Sequence, residues 1–225
     1  LLFLKKDSAE LVSANELKGM RTYALAKSLK EKYGKTAGVI CIGPAGEMKL
    51  KSASIQVTDM DGNPCRAAGR GGLGALMGSK GVKAILIDDT NGSSPPIVDS
   101  EMFKSGQKKL AQAIRNHPAT GHAMPALGTI MMLGFVNAAG EFPAITAKVG
   151  FYEKWEQISG EKLAEVINER GGQTGHLGCT NCIIRCSNVF VDKKKKYVTA
   201  SLEYETIYAV GAMCDIADLD TIAKI

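Results

Sequence analysis

The sequence predicts an α+β fold in two successive parts: a β-rich portion over residues 1–92, then a mainly α-helical portion over 93–225. Three observations carry that prediction. Short apolar runs with strand character (LLFLKK, AGVICIG and VKAILID) all fall before residue 90. Composition then turns to Gly, Ser and Pro in DDTNGSSPPIVD, from Asp88 to Asp99, which reads as a domain boundary or a long crossing linker. Beyond it, apolar residues recur at helical spacing.

Taken in order, LLFLKK predicts a strand. RTYALAKSLKEK, from Arg21 to Lys32, has few breakers and ends at Gly34, as a capped helix does. AGVICIG predicts a buried strand, GPAGE (Gly43 to Glu47) a tight turn, and KLKSASIQV (Lys49 to Val57) an alternating strand. TDMDGNPCRAA is turn-rich, so no strand is expected to feed the glycines that follow it. Val82 to Asp89 reads as another buried strand. In the second part, a helix opens at Ser100 as N-cap, with Phe103, Leu110 and Ile114 on one face. Further helices are expected from Leu127 to Ala139 (closed by Gly140), after Ser159 up to Gly171-Gly172, and over EYETIYAVGAM and DLDTIAKI. Met77, Met124, Met131 and Met132 read as core filler.

At 225 residues, 45% hydrophobic and 23% charged, the chain can build substantial cores. The formal net charge of +5 is spread along the sequence, and its one basic run, Lys193 to Lys196, lies between Val189-Phe190-Val191 and Tyr197-Val198. That run reads as a solvated hairpin tip rather than a nucleic-acid patch. No apolar run of membrane-spanning length and no signal peptide is evident, which predicts a soluble, cytoplasmic protein without a membrane partner. The chain opens without Met in a strand pattern and stops within a helical one, so it reads as an internal fragment.

The run CRAAGRGGLGALMGSKG, Cys65 to Gly81, places Gly69, Gly71 and Gly74 at G-x-G-x-x-G spacing. Such glycines let a backbone approach an anion closely. A dinucleotide site also needs a strand directly before the first glycine and a long helix after the last. Neither is expected here, although the acids ending VKAILIDD stand where a ribose-binding acid would. A different anion-binding loop fits better.

Six cysteines are present: Cys41, Cys65, Cys179, Cys182, Cys186 and Cys214. Three of them form C-x2-C-x3-C within GCTNCIIRCSN. Such clustering, without a secretory signal, points to metal binding in a reducing compartment rather than to disulfides. The spacing lets one irregular loop wrap thiolates around an iron–sulfur core. Zinc, with His176 completing a Cys3His set, stays open as an alternative. Cys41 and Cys214 fall in apolar stretches that suit buried free thiols.

In that order, GPAGE, RAAGRGGLGALMGSKGVKAI, the C-x2-C-x3-C loop and LEYET resemble the tungsten-containing aldehyde ferredoxin oxidoreductase family. The resemblance covers essentially all 225 residues but corresponds to an internal part of the family's longer chain. It implies a β-rich portion of a pterin-binding domain that forms a base for a bis-pterin carrying tungsten or molybdenum, then helical domains. It gives the glycine loop a phosphorylated pterin as its anion. On this reading Arg66 lies between pterin and cluster and bonds phosphate, the Ala67 carbonyl sits near a magnesium ion bridging the pterin phosphates, and Gly69, Arg70 and Gly71 line the loop. Cys179, Cys182 and Cys186 match three ligands of a 4Fe-4S cluster whose fourth ligand belongs to a later segment. Glu205 matches an acid facing the metal pocket, poised to move a proton as an aldehyde loses two electrons; Glu203 reads instead as an acid stabilising a helix N-terminus. The implied partners are ferredoxin and a small aldehyde or acid, with a homo-oligomer admissible. Other readings of the same features are an iron–sulfur module serving a partner chain and a zinc-stabilised structural domain.

Overall fold

Two clusters of apolar side chains organise the chain, one for each compact unit, residues 1–97 and 98–225. The computed structural model describes residues 1–225.

In the first unit, β1 (Leu2–Lys5), β2 (Ser8–Leu11), α1 (Thr22–Tyr33), β3 (Gly38–Cys41), the single turn α2 (Pro44–Glu47), β4 (Gln56–Val57), β5 (Arg66–Ala67), α3 (Leu73–Ser79) and β6 (Ala84–Ile87) follow one another. The strands form one sheet in the order β2-β1-β6-β3-β4-β5, with β1 parallel to β6 and the other pairs antiparallel. Val39 and Cys41 alternate with less buried neighbours on β3, so one face of that strand joins Phe3, Leu86 and the α1 residues Leu25, Ala26 and Leu29 in the core. The expected helix ends at Gly34, whose N–H donates to the Lys30 carbonyl.

Two expectations are corrected here. Lys49 to Val57 is not one alternating strand: Lys49 is left-handed, the N–H groups of Lys49, Leu50 and Ala53 close turns onto the carbonyls of Gly46, Ala45 and Leu50, and only Gln56–Val57 pairs. Those turn bonds outcompete the alternating pattern of the side chains. A strand does precede the glycines, since Arg66–Ala67 pairs with β4 in the register Gln56↔Ala67 and Val57↔Arg66. At two residues it was too short for a side-chain period to reveal.

In the second unit, α4 (Ser100–Asn116) leads through a π turn (Ala119–Ala123) into α5 (Met124–Leu127), a 3-10 turn (Gly128–Met132) and α6 (Leu133–Ala138). Then come α7 (Gly160–Arg170), the antiparallel sheet β7 (Gln173–His176), β8 (Ser187–Val191) and β9 (Tyr197–Ala200), α8 (Tyr204–Thr206), a π turn (Ile207–Gly211) and α9 (Leu219–Lys224). Ile130, Leu133, Phe142, Ile158, Leu163 and Phe190 centre the core. Lys193–Lys196 does form the β8–β9 turn, closed by the Lys194 and Lys196 N–H groups donating to Asp192.

The helix expected from Leu127 is broken at Gly128, φ +70, and starts again as a 3-10 turn. Asp99, not Ser100, caps α4, accepting from the N–H groups of Glu101 and Met102. Met132 is exposed, as is Cys214, so neither fills the core. By length and composition the run Ala119–Ala138, with mean hydropathy 1.3, could cross a membrane. The sequence reading missed it because Gly121, Pro125 and Gly128 interrupt the apolar pattern. Here it gives Ile130 and Leu133 to the unit's core.

Arg170 on α7 grips Asp220 on α9 through two parallel hydrogen bonds, 2.6 and 2.9 Å, and its guanidinium lies over the Phe190 ring. The bond from Arg170 holds the Asp220 carboxyl below its ordinary value. Such a group binds fewer protons folded than unfolded, so its contribution is complete above about pH 5 and is lost as pH falls through the depressed value. Asp220→Asn is expected to lower stability at pH 7 by about 1.5–3 kcal/mol and to flatten the acid limb of the stability curve, measured as melting temperature from pH 7 to pH 2.

Candidate cofactor loop and cysteine site

The glycine loop has a closed side and an open side. Its root is fixed by the β4–β5 pairing and by the N–H groups of Ala68 and Gly74, which donate to the carbonyls of Ile55 and Ala53, both at 2.9 Å. On the closed side, a Cβ at Gly74 would collide with the Ser54 carbonyl oxygen and one at Gly78 with that of Gly46, so α3 packs backbone to backbone on its neighbours. On the open side, Gly69 (φ +63) and Gly71 (φ +91) are exposed and a Cβ at either would meet nothing within 4 Å. Ala67 and Arg70 are exposed beside them and Arg66 is half-buried. Left-handed, uncrowded backbone flanked by guanidinium groups suits an anionic phosphate, so the residues fit a phosphorylated pterin.

A buried ion pair stands behind this loop. Lys83, on the way into β6, puts its ammonium 2.8 Å from Glu47 and 3.0 Å from the Met20 carbonyl oxygen. Burial alone would raise the Glu47 carboxyl, but the bonds from Lys83 and from the Gly19 N–H outweigh it and hold it below its ordinary value. The pair ties α2, which carries Gly46, to β6, which continues from α3. Sequence reading placed Lys83 in the motif without seeing this role, because its partner lies 36 residues earlier.

The cysteine loop joins β7 to β8. The Cys182 N–H turns back onto the Cys179 carbonyl at 3.2 Å, and Asn181 (φ +59) and Arg185 (φ +58) are left-handed. The two left-handed residues coil the loop between its thiols. Cys179 is exposed, while Cys182 and Cys186 are half-buried. Burial, then the Glu203 charge, then Cys182 and Cys179 push the Cys186 thiol up. Three soft donors on one short loop are the donor chemistry of an iron–sulfur corner. His176, the residue of the zinc alternative, is buried on β7 with Nδ1 3.1 Å from the Ser187 hydroxyl.

The other cysteines differ in kind. Cys41 is buried on β3, and burial pushes its thiol to about 11. Burial and a 3.1 Å hydrogen bond to Asp59 push Cys65 to about 12. Both are protonated at neutral pH.

LEYET starts α8. Glu205 lies exposed in its first turn, and Glu203 occupies the N-cap position without capping. The Glu203 carboxylate instead accepts from the Thr129 hydroxyl at 2.6 Å and from the Ser201 hydroxyl. Glu203 thus stands at the helix terminus, as expected, and in addition clamps Thr129 across 74 residues. No local pattern could have shown it.

An open glycine loop rooted in one sheet and a three-thiol loop between two strands of another are the features expected of a protein class that holds an anionic cofactor and a metal. The chain belongs to the aldehyde ferredoxin oxidoreductase family. Residues 1–89 match the model of the family's N-terminal domain, and residues 106–225 match the model of its domains 2 and 3. It is 31% identical over 99% of its length to the tungsten-containing aldehyde ferredoxin oxidoreductase of Pyrococcus furiosus and 33% identical over 99% to that of Thermococcus kodakarensis, spanning 35% of each relative. Over 46% of the chain it is 35% identical to the WOR-like subunit of an aliphatic sulfonate oxidoreductase of Pyrococcus furiosus, 18% of which is covered. Its fold is shared with the BamBC active-site complex of benzoyl coenzyme A reductase, at TM-score 0.70 and 20% identity, covering 97% of this chain and 33% of that one. The family is one of tungsten–pterin oxidoreductases, and this chain spans about a third of the length of the relatives it matches.

Two outcomes test this geometry. Gly78→Ala should cost about 1–3 kcal/mol through overpacking against Gly46, read as a lower urea midpoint. In the metal-free protein at pH 8, iodoacetamide followed by mass spectrometry should label Cys179 well before Cys41 and Cys65, because only roughly one thiolate in a thousand exists at a thiol titrating near 11.

Proposed function

We propose that the intact protein oxidises aldehydes to carboxylic acids, or runs the reverse reduction, at a tungsten or molybdenum bis-pterin, with electrons leaving through a 4Fe-4S cluster to ferredoxin. What carries the reading is the presence, in one family member, of the open RAAG glycine loop and the coiled three-thiol loop. When bound, the metal–pterin supplies the two-electron acceptor and the cluster a one-electron relay.

The chain's own residues have definable tasks in this reading. Arg66 and Arg70 would neutralise pterin phosphate, the uncrowded backbone at Gly69 and Gly71 would let it approach, and the Ala67 carbonyl would offer an oxygen ligand to magnesium. Cys179, Cys182 and Cys186 would hold iron as thiolates, and the bond to iron would have to offset the added cost of deprotonating the raised Cys186. Aldehyde plus water becomes carboxylic acid with release of two electrons and two protons, and Glu205, exposed on α8, accepts or returns a proton.

Metal analysis of the anaerobically purified protein should find iron with acid-labile sulfide together with tungsten or molybdenum. Zinc as the sole metal would overturn the proposal. Arg66→Ala should weaken metal–pterin retention about tenfold or more, since a charge-assisted hydrogen bond contributes about 1.5–3 kcal/mol. Iron should stay in that variant, and unchanged tungsten occupancy would count against the assignment of Arg66.

A further inference from the structure

Three segments of the helical unit converge behind the cysteine loop. Gly128 backs onto Cys186 so closely that a Cβ there would lie 3.1 Å from the Cys186 carbonyl oxygen. Thr129, the next residue, reaches Glu203. Two residues past Cys186, Asn188 bonds Leu202 from both ends of its amide, 2.9 and 3.1 Å, while its carbonyl accepts from the Ser201 N–H at 3.1 Å. The segment bearing Glu203 is thereby strapped to the strand that starts beside Cys186.

Hydrogen-bond direction fixes what Glu203 presents. The Thr129 hydroxyl accepts from the Tyr204 N–H at 2.9 Å, so its own proton is left to point at Glu203 Oε2. The Ser201 hydroxyl meets the other oxygen, Oε1. Thr129 therefore donates to Oε2 and the Ser201 hydroxyl is hydrogen-bonded to Oε1, so both oxygens of the Glu203 carboxyl group are held in place. Thr129 follows Gly128, which backs onto the Cys186 carbonyl, and Leu202 is bonded to Asn188, so the clamp holds this carboxylate behind the cysteine loop.

We propose that Glu203 is a redox-tuning residue: an anion clamped by Thr129 and Ser201 beside Cys186 that lowers the reduction potential of the cluster on this loop. The inference rests on the cluster reading above. One-electron reduction adds negative charge to the cluster, and a fixed negative charge nearby opposes that addition. Glu203 acts through the field at the cysteine loop, with its neighbours setting distance and orientation.

The test is a redox titration of the anaerobically purified holoenzyme, following the electron paramagnetic resonance signal of the reduced cluster. Glu203→Gln keeps the size and an acceptor oxygen while removing the charge. At the potential where the unaltered cluster is half reduced, its ratio of reduced to oxidised cluster should rise on the order of tenfold. Glu203→Asp, which keeps the charge, should stay near the unaltered value. Equal potentials for the Gln variant and the unaltered protein overturn the inference, as does an equal shift in Gln and Asp. Loss of the cluster from the Gln variant also overturns it, since Glu203 would then hold the loop rather than tune it. Absence of any iron–sulfur signal from the unaltered protein would instead defeat the functional reading itself.

Discussion

Both loops depend on backbone lying against backbone, with no room for a Cβ at Gly74 and Gly78 and a tight 3.1 Å approach at Gly128. In the first unit the carbonyl of Gly46 sits against Gly78, and that of Ser54 against Gly74. In the second, the Cys186 carbonyl sits against Gly128. Such contacts fix position to a fraction of an ångström, because no rotatable side chain intervenes. They also explain why exposed loops can be well placed: the flexible part is short, and the immobile part begins one residue away. The exposed stretch from Ala68 to Gly71 follows paired β5 directly and precedes a helix whose own glycines are locked inward.

Polar clamps complete what close packing begins, and they differ in what removing one partner would do. Lys83 and Glu47 are an ion pair in which the lysine side chain is only 6% exposed, so losing the acid would leave an ammonium facing a single carbonyl and little water. Asn137 is a neutral counterpart: its amide accepts from the Tyr152 N–H at 2.7 Å and donates to the Tyr152 carbonyl, pinning the loop after Phe142. Glu203 differs from both in lying beside groups that would carry charge during turnover. A clamp that only held structure could be neutral, as Asn137 and Asn188 are. An acid in that place contributes a field as well as a bond.

Much of the fold was legible because its signals are local. Gly34 and Gly171 end α1 and α7 where their spacing indicated, and Val39 and Cys41 are buried on the strand expected of them. The errors fall where local pattern and hydrogen bonding disagree. Lys49 to Val57 alternates convincingly, yet turn bonds take its backbone groups first. β5 is two residues long and exists only through its partner β4. The same division separates the site residues. Glycine spacing and C-x2-C-x3-C are visible in sequence because each lies within one loop. The Thr129–Glu203 and Lys83–Glu47 contacts join distant segments of residues that are individually unremarkable, so only the folded chain shows them.

The thiols show how one residue type is sorted by position. Cys41 and Cys65 lie in the first unit and are pushed up to about 11 and 12, one by burial and the other by burial with Asp59. Raising a thiol this far makes it a poor nucleophile and a poor ligand, since binding metal would first require removing a strongly held proton. Cys186 is also raised, but there the anionic neighbours include Cys182 and Cys179. A cation binding all three thiolates would turn that mutual repulsion into attraction, whereas at Cys65 it would still have to displace the proton shared with Asp59. The raised thiols of Cys41 and Cys65 would therefore bind a metal less readily, for the same ligand atom, than an unperturbed thiol would.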